Sequence, residues 1–594
     1  MDNSSKTIRF FRKSFLLLAC LTGVSLLIRA PVLAQLQGNE SSPGPIYLQN
    51  SPAWGDAERT AFYSQDQGST LIPAAWLKAL TGPDGQPFLA GSLTRYGYLA
   101  NPARTDGLPI GFTTTQFKGA SYVGMTCAAC HTREISLGTN HYRIDGGPAL
   151  SDFQQFLTDL VAAVGRVNSD DAFPAFADAV LGPKANAAQR KALRQSVKVW
   201  FDRENALAQK AYGRPDLWGL GRLDAVAMIL NRVAGLDVGP PPSYLLEDNI
   251  QLADAPTRYP FIWNATLQDK TQWPGFADNG DNLFGLARNL GEVYGVFATF
   301  HPSSAPLSRP FSRGDFIKTN SANFVGLGKL ENLVGKIPLP KWPWRIDADL
   351  AKRGRLIFES ASAMGGCAEC HQLTNGKPRF LNGNTWATPV QDVGTDSREY
   401  QILDREGRSG VLNGMQIPLS GDRIQATDKV LKMLKTSVVN ALLQGGVLNA
   451  SKEVFKGSGA NLDFRALVPL LDGAFRTGKT VEDPLCNKTD KPYCYEARVL
   501  TGIWAAAPYL HNGSVPTLED LLKPAAERPV TFAVGPEYDP ERAGLAITQP
   551  TSRYARTTTG CEARDSGNSR CGHEYGTGLA AYDKKALLEY LKTL

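Results

Sequence analysis

The chain contains the pentapeptide Cys-x-x-Cys-His twice, and this repetition restricts what the chain can fold around. "C-A-A-C-H" stands at residues 127–131 and "C-A-E-C-H" at residues 367–371. In c-type haem attachment two thiols with this spacing add to the two vinyl groups of a haem, and the adjacent histidine reaches the iron. The sequence therefore predicts two covalently bound haem c groups. The predicted attachment residues are Cys127, Cys130 and His131 for the first haem, and Cys367, Cys370 and His371 for the second.

Two other uses of such a pentapeptide fit less well. A zinc site needs further Cys or His ligands at close spacing, and only His141 follows either motif closely. A redox-active dithiol does not need the histidine that directly follows both cysteine pairs. Covalent haem is thus the interpretation that uses all residues of both motifs.

The first residues indicate export. Four basic residues within the first thirteen precede an apolar stretch at 15–28, and "P-V-L-A-Q" offers small residues for cleavage after Ala34. The stretch is short for a membrane anchor, and "L-L-A-C" only loosely fits a lipoprotein cut before Cys20. No later stretch is long and apolar enough to span a membrane. We therefore predict a signal peptide at 1–34 and a periplasmic or secreted mature protein.

Export also affects how the remaining cysteines are interpreted. Four thiols in an oxidising compartment most simply form two disulfides, with three connectivities open. Pairing of nearest neighbours, 486 with 494 and 561 with 571, closes short loops rich in Asn, Lys, Gly and Ser. The thiols concerned are Cys486, Cys494, Cys561 and Cys571.

The hydrophobic pattern predicts helices joined by long Gly/Pro-rich loops. Residues 151–164 read as an amphipathic helix with an Asp/Ser start, and so does the C-terminal "A-Y-D-K-K-A-L-L-E-Y-L-K-T-L". "P-L-P-K-W-P-W" at 338–344 is a stiff break. No strong strand pattern is visible. We expect a mainly α fold with two cytochrome c-like haem domains and large loop-rich insertions, at 35–340 and 341–594.

The order of these motifs resembles the di-haem cytochrome c peroxidase superfamily. That superfamily includes bacterial peroxidases, the di-haem maturase of methylamine dehydrogenase, and a larger branch of rubber oxygenases and fatty-acid dioxygenases. The resemblance lies in "P-F-I-W-N-A-T" with "Q-W-P-G" (260–275) and in "A-A-P-Y-L-H-N-G-S-V-P-T-L-E-D-L-L" (506–522). It runs from about residue 50 to the end, and the chain length favours the larger branch. Further stretches resembling that branch are 221–225, 287–295, 528–535 and 572–579.

The resemblance implies roles for two residues between and beside the haems. Trp273 corresponds to the tryptophan that relays electrons between the haems, although Pro274 replaces the family's Asp. Its alternative role is to pack the interdomain core. Glu292 lies near the position of the peroxidases' distal acid, and its alternative role is an ion pair with Arg288.

The far ligand of the second iron has two candidates. The resemblance to the larger branch at "G-H-E-Y-G-T" favours His573, and His511 then binds a haem propionate or holds its loop. His511 itself is the alternative ligand. The first iron has no evident second ligand, although His141 could loop over it. We therefore expect the first haem to do chemistry and the second to supply electrons.

Three functions follow from this arrangement. The first is a dioxygenase that adds O₂ to a carbon–carbon double bond of an apolar substrate, either an unsaturated fatty acid or a polyisoprenoid. The alternative is a peroxidase that reduces H₂O₂ with electrons from a small donor cytochrome. The third is a pure electron carrier. A bridging Ca²⁺ is left open, because no EF-hand-like run of acids is present.

The charge of the chain argues against one class of partner. The formal net charge is +6 over 594 residues, and no Lys/Arg stripe accompanies it. Since nucleic-acid binding normally requires a basic patch, we expect no nucleic-acid partner.

Overall fold

A computed structural model gives the fold. The predicted signal peptide and Cys486 lie outside the residues that it describes. Those residues are 44–304, 313–360, 366–371, 374–375, 385–417, 422–446, 493–552 and 554–594.

Helices supply the larger elements of the described chain. Short 3₁₀ turns occur between them, and π-helical turns at Arg232–Leu236 and Leu442–Gly446 follow two helices directly. The α-helices are α1 Asp56–Ser64, α2 Ala74–Ala79, α3 Phe153–Val167, α4 Phe173–Leu181, α5 Ala187–Ala211, α6 Ala225–Asn231, α7 Asn282–Gly295, α8 Phe324–Val334, α9 Ala348–Glu359, α10 Ala368–His371, α11 Arg398–Gln401, α12 Val430–Ala441, α13 Leu518–Leu521 and α14 Ala581–Leu591.

Strands are numerous and short, and they form many small antiparallel sheets. Two six-residue hairpins are the longest pairs, and one of them directly follows the first Cys-x-x-Cys-His motif. The strands are Ile46–Tyr47, Ile72–Pro73, Phe112–Phe117, Ala120–Met125, Thr132–Leu137, Asn140–Asp145, Arg222–Leu223, Thr257–Arg258, Lys270–Thr271, Ala277–Asp278, Ser303–Ser304, Gly314–Asp315, Thr374–Asn375, Trp386–Ala387, Val390–Gln391, Glu406–Arg408, Thr427–Lys429, Tyr495–Glu496, Thr531–Ala533, Tyr538–Asp539, Gly544–Leu545 and Ala555–Thr557.

The prediction of a mainly α fold was wrong. The structure is 38% helix and 17% strand, which makes it a mixed α and β fold. Most strands have only two or three residues, which is too short for the apolar–polar alternation that marks a strand in sequence. These short strands pair loop segments with one another, so the hydrophobic pattern of the sequence does not reveal them.

Residues 47–594 form one compact unit. Two large apolar cores lie among its described residues, and each combines side chains from before and after residue 340. The division into haem domains at 35–340 and 341–594 stays a prediction. No helix among the described ranges is long and apolar enough to cross a membrane.

The stiff Pro/Trp segment at 338–344 packs into the second core through an aromatic cluster. The rings of Trp342 and Trp344 are 4.8 Å apart, and Trp342 lies 5.1 Å from Trp504. Trp344 also contacts Tyr142 of the hairpin that follows the first motif, at 5.3 Å. The segment therefore joins elements from both halves of the chain.

The prediction of a 561–571 disulfide is confirmed. Cys561 and Cys571 are bonded, with their Cα atoms 4.9 Å apart. Cys494 is also disulfide-bonded. Cys486, its predicted partner, lies outside the described residues.

Helices α9 and α14 pack closely, and together they form one wall of the site at the second motif. Phe358 of α9 and Leu587 of α14 line that cavity. The close approach depends on Gly354, because a Cβ there would lie only 2.0 Å from the carbonyl oxygen of Ala586. A side chain at this position must push the two helices apart.

We predict that Gly354→Ala lowers the free energy of unfolding by about 1–3 kcal/mol, the usual cost of overpacking a close contact. Chemical denaturation followed by tryptophan fluorescence measures this loss. Gly291→Ala is the matched control, since a Cβ in the middle of α7 would meet only Val438, at 3.9 Å. Equal stability of the two variants would contradict the proposed role of Gly354.

Candidate haem sites

Both Cys-x-x-Cys-His motifs adopt the same tight turn. In the first, the carbonyl oxygen of Cys127 accepts hydrogen bonds from the amides of Cys130 at 3.2 Å and His131 at 2.9 Å. In the second, the carbonyl oxygen of Cys367 accepts from Cys370 and His371 at the same two distances. The turn brings each histidine beside its own pair of thiols. Locally, the two attachment sites are equivalent.

None of the four motif cysteines takes part in a disulfide. Burial raises the pKa of Cys127 and of Cys130 to about 12, and that of Cys367 to about 11. These three thiols are thus held in their neutral, protonated form. This argues against a reactive redox dithiol, which needs a low thiol pKa.

Each motif histidine is oriented by a main-chain carbonyl. The Nδ1 atom of His131 donates to the carbonyl oxygen of Pro260 at 2.9 Å, and that of His371 donates to Arg498 at 2.7 Å. A proton fixed on Nδ1 leaves Nε2 as the free lone pair for a metal. Burial lowers the pKa of both imidazoles, that of His131 to about 4. They are therefore neutral, as metal ligation requires.

A large cavity opens beside each motif. The cavity at the first motif has a volume of about 1330 Å³ and the cavity at the second about 1380 Å³. Both volumes include the space at the mouth that is open to solvent. The first cavity is lined by Cys127, Cys130 and His131 and by residues of α6 and α7. The second is lined by Cys367, Cys370 and His371 and by α9, α13 and α14.

His573 faces His371 across the second cavity. The two imidazole centroids are 6.1 Å apart, with an angle of 47° between the ring planes. A metal–imidazole bond is about 2 Å, so two such bonds and two half-rings span about 6 Å. One iron therefore fits between these two rings.

The backbone around His573 is held in an uncommon conformation. His573 has φ +51° and follows Gly572, with φ +78°. A non-glycine residue in this region is strained, and such strain concentrates at functional sites. Arg528 holds the segment by donating to the carbonyl oxygens of Gly572 at 2.7 Å and His573 at 3.1 Å. Burial, helped by His371, lowers the pKa of His573 to about 3.

His511 also lines the second cavity, in a different setting. Its ring stacks on Tyr495, with centroids 4.1 Å apart, and lies 6.4 Å from the ring of Trp273. Its main-chain carbonyl accepts a hydrogen bond from the amide of Arg258 at 2.9 Å. His511 is thus built into the wall between the cavities, while His573 is the residue that faces the motif histidine.

The first cavity has no comparable pair. Among the described residues that line it, His131 is the one histidine. Met125 and Met228 also line it, and Met125 ends the strand just before the first motif. His141, the predicted alternative ligand, lies on the exposed side of the hairpin, where its ring contacts Ser136 at 3.0 Å.

Glu292 projects from α7 into the first cavity. Its side chain keeps 42% of its surface accessible. Gln272 donates to its Oε1 atom at 3.3 Å, and the Nε atom of Arg288 lies 3.9 Å away. Burial raises the pKa of Glu292, although Arg288 opposes the shift. The cavity thus contains one carboxyl group that is more readily protonated than an ordinary glutamate.

Trp273 stands in the wall that the two cavities share. It is 8% exposed and lines both of them. Its indole Nε1 donates to the carbonyl oxygen of Arg258 at 3.2 Å, and its own carbonyl accepts from the amide of Glu496 at 2.9 Å. Both predicted roles, packing and relay, are compatible with this place.

Sequence reasoning missed the residues that orient the motif histidines. Pro260 and Arg498 act through main-chain carbonyls, which carry no residue-type signal. Arg258 lies two residues before the 260–275 stretch, but nothing in its sequence context marks it. Within the described ranges, no group of three His, Cys, Asp or Glu residues is arranged to hold a metal ion.

The residues present at both sites fit a haem. Each site combines a cavity, two cysteines outside any disulfide, and a neutral imidazole whose Nδ1 proton is donated to a main-chain carbonyl. Residues 494–533, which include part of the second cavity wall, match the family described as RoxA-like, cytochrome c-like. A cytochrome c-like segment implies haem c.

Two proteins of Sinorhizobium fredii (strain NBRC 101917 / NGR234) are similar to the chain. "Uncharacterized protein y4iJ" is 30% identical over 593 residues, which covers 91% of this chain and 92% of that protein. "Uncharacterized protein y4iM" is 26% identical over 355 residues, covering 57% of this chain and 64% of that protein. The chain belongs to the family of y4iJ.

We predict that His573→Ala converts the second haem from six-coordinate low-spin to high-spin, because it removes the imidazole that faces His371. His573→Met should stay six-coordinate with a higher reduction potential, since a thioether favours reduced iron. Absorption spectra and redox titration measure both changes. His511→Phe is the control and should leave the spectrum unchanged. A high-spin second haem in His511→Phe, with none in His573→Ala, would assign the ligand to His511.

Proposed function

We propose that the chain is an exported di-haem c oxidoreductase in which the first site does the chemistry and the second supplies electrons. The observation that carries this proposal is the difference between two otherwise equivalent sites. His573 stands across the second cavity from His371 with its ring 6.1 Å away, and the described lining of the first cavity has no histidine besides His131. A haem with an open axial position binds O₂ or H₂O₂, whereas one closed on both faces only exchanges electrons.

In this proposal the residues of the first site have different roles in holding the haem. Cys127 and Cys130 fasten the haem covalently. His131 holds it from one face, and the carbonyl of Pro260 keeps the imidazole in the required tautomer. Residues of α6 and α7 line the rest of the cavity.

We infer that the reaction is the dioxygenation of a carbon–carbon double bond in an apolar substrate. Support comes from the RoxA-like match and from the apolar lining of the first cavity by Phe153, Leu223 and Ile229. A smaller hollow adjoins this cavity, with Ile229 and Glu292 lining both, and Phe276 and Leu434 add apolar surface to it.

Peroxide reduction is the second candidate, and Glu292 is the specific observation that favours it. A carboxyl group with a raised pKa can give a proton to a departing oxygen atom as a general acid. Glu292 lines the first cavity and is fixed by Gln272. In this case the partners are H₂O₂ and a small electron-donor cytochrome.

The remaining partners belong to the proposal too. The mature protein is periplasmic or secreted, works without nucleic acid, and binds two haem c groups. Trp273, in the shared wall, is the electron relay between them.

We predict that the purified holoprotein consumes O₂ with oleate or polyisoprene, and that Glu292→Gln keeps this rate within a few-fold because dioxygenation needs no distal acid. Oxygen-electrode traces and peroxide turnover with reduced cytochrome c measure the two activities. Glu369→Gln is the matched control, an exposed glutamate inside the second motif.

The contrary result is equally clear. The absence of O₂ uptake with either substrate, together with peroxide turnover that falls by about 10²–10⁴-fold in Glu292→Gln, would replace the dioxygenase by the peroxidase. Neither activity in a protein whose two haems are both six-coordinate would leave an electron carrier.

A further inference from the structure

Two arginines lie over the tryptophan in the shared wall. The guanidinium carbon of Arg498 is 4.5 Å from the centroid of the Trp273 ring, and that of Arg258 is 4.8 Å away. Both side chains line both cavities. A cation over an indole face at this distance is attracted to it. The wall between the cavities thus concentrates two positive charges on one aromatic ring.

Neither arginine has a carboxylate at hydrogen-bonding distance among the described residues. Arg258 donates only to main-chain carbonyls, from Nε to Leu510 at 3.0 Å and from Nη1 to Tyr259 at 3.4 Å. The nearest acid to Arg498 is Glu496, 3.8 Å from its Nε atom, and that nitrogen has no hydrogen-bond partner. Both arginines are buried, at 5% and 7% exposure.

The acids near Arg498 are themselves shifted towards the protonated form. Burial raises the pKa of Glu496 to about 7 and that of Glu399 well above its usual range, even though Arg498 opposes both shifts. The pKa of Arg258 is lowered to about 9, mainly by burial and secondly by repulsion from Arg498. Buried cations of this kind need an anion with good hydrogen-bond geometry. Because both arginines line both cavities, an anionic group bound in either cavity lies beside them.

The main chain holds both arginines firmly in this place. The amide of Arg258 donates to the carbonyl oxygen of His511 at 2.9 Å, and its side chain is held by Leu510. The carbonyl of Arg498 accepts the Nδ1 proton of His371. Hydrogen bonds thus hold the main chain of both arginines beside the cavities that these residues line.

We propose that Arg258 and Arg498 bind the propionate carboxylates of the haems and so hold Trp273 between neutralised cations. The proposal rests on the proposed function, since it needs haem in both cavities. A haem carries two propionates, and the planar fork of an arginine matches a carboxylate in a bidentate way. Both residues are cofactor-binding residues in this account.

The same contacts affect Trp273. Two uncompensated cations over the ring would make removal of an electron from the indole unfavourable. Propionates bound to the guanidinium groups cancel that effect. Binding of the haem propionates would thereby make it easier for Trp273 to give up an electron and relay it between the haems.

The test uses the full-length holoprotein and two readouts other than turnover. Resonance Raman spectra report the propionate bending bands, and spectroelectrochemical titration reports the two reduction potentials. Arg258→Gln and Arg498→Gln should shift the propionate bands and lower the potentials, because loss of a nearby positive charge disfavours reduced iron. Arg258→Lys and Arg498→Lys keep the charge, so they should shift the bands and largely retain the potentials.

Arg222→Lys is the matched control. Arg222 is 2% exposed, burial lowers its pKa to about 9 as for Arg258, and it lies outside both cavity linings. This variant should leave bands and potentials unchanged. If a Gln variant fails to take up haem, the propionate bands are measured on the Lys variant of the same arginine.

Two negative results are distinguishable by haem content. Two haems per chain with unchanged propionate bands and potentials in all four variants would overturn the role of the arginines and leave the proposed function standing. A wild-type protein with fewer than two covalent haems, measured as the pyridine haemochrome, would overturn the proposed function itself.

Discussion

The hydrogen bond from each motif histidine to a main-chain carbonyl is the contact on which the rest of the site depends. His131 donates to Pro260 and His371 donates to Arg498. Each bond fixes a tautomer, and each acceptor belongs to the wall around Trp273. Pro260 is two residues from Arg258, whose carbonyl accepts the indole proton of Trp273. The same short segments therefore aim the histidines and build the partition between the cavities.

This arrangement accounts for how two identical motifs come to differ. The turn at each Cys-x-x-Cys-His has the same hydrogen bonds, so the difference does not arise there. It arises on the opposite side of each cavity. A strained loop held by Arg528 brings His573 to the second site, whereas α6 and α7 bring apolar side chains and Glu292 to the first. The proposal of one closed and one reactive site rests on this difference between the two cavities.

The sequence predicted the parts of the site that depend on contiguous residues. The two motifs stood out because thiol and imidazole spacing is local, and His573 stood out through the segment around it. The wall between the cavities could not be predicted, because it joins Arg258, Trp273 and Arg498 across more than two hundred residues. Its main acceptors are backbone carbonyls, which any residue supplies. The fold class was wrong for a related reason, since strands of two or three residues carry no periodic pattern.

The central claim is that one site is open and the other closed. Low-temperature electron paramagnetic resonance of the air-oxidised holoprotein tests it most directly, because high-spin and low-spin ferric haems give separate signals. The account predicts a high-spin signal and a low-spin signal in equal amounts, with His573→Ala converting the low-spin one. Two low-spin signals in the wild-type protein, both insensitive to His573→Ala, would contradict it.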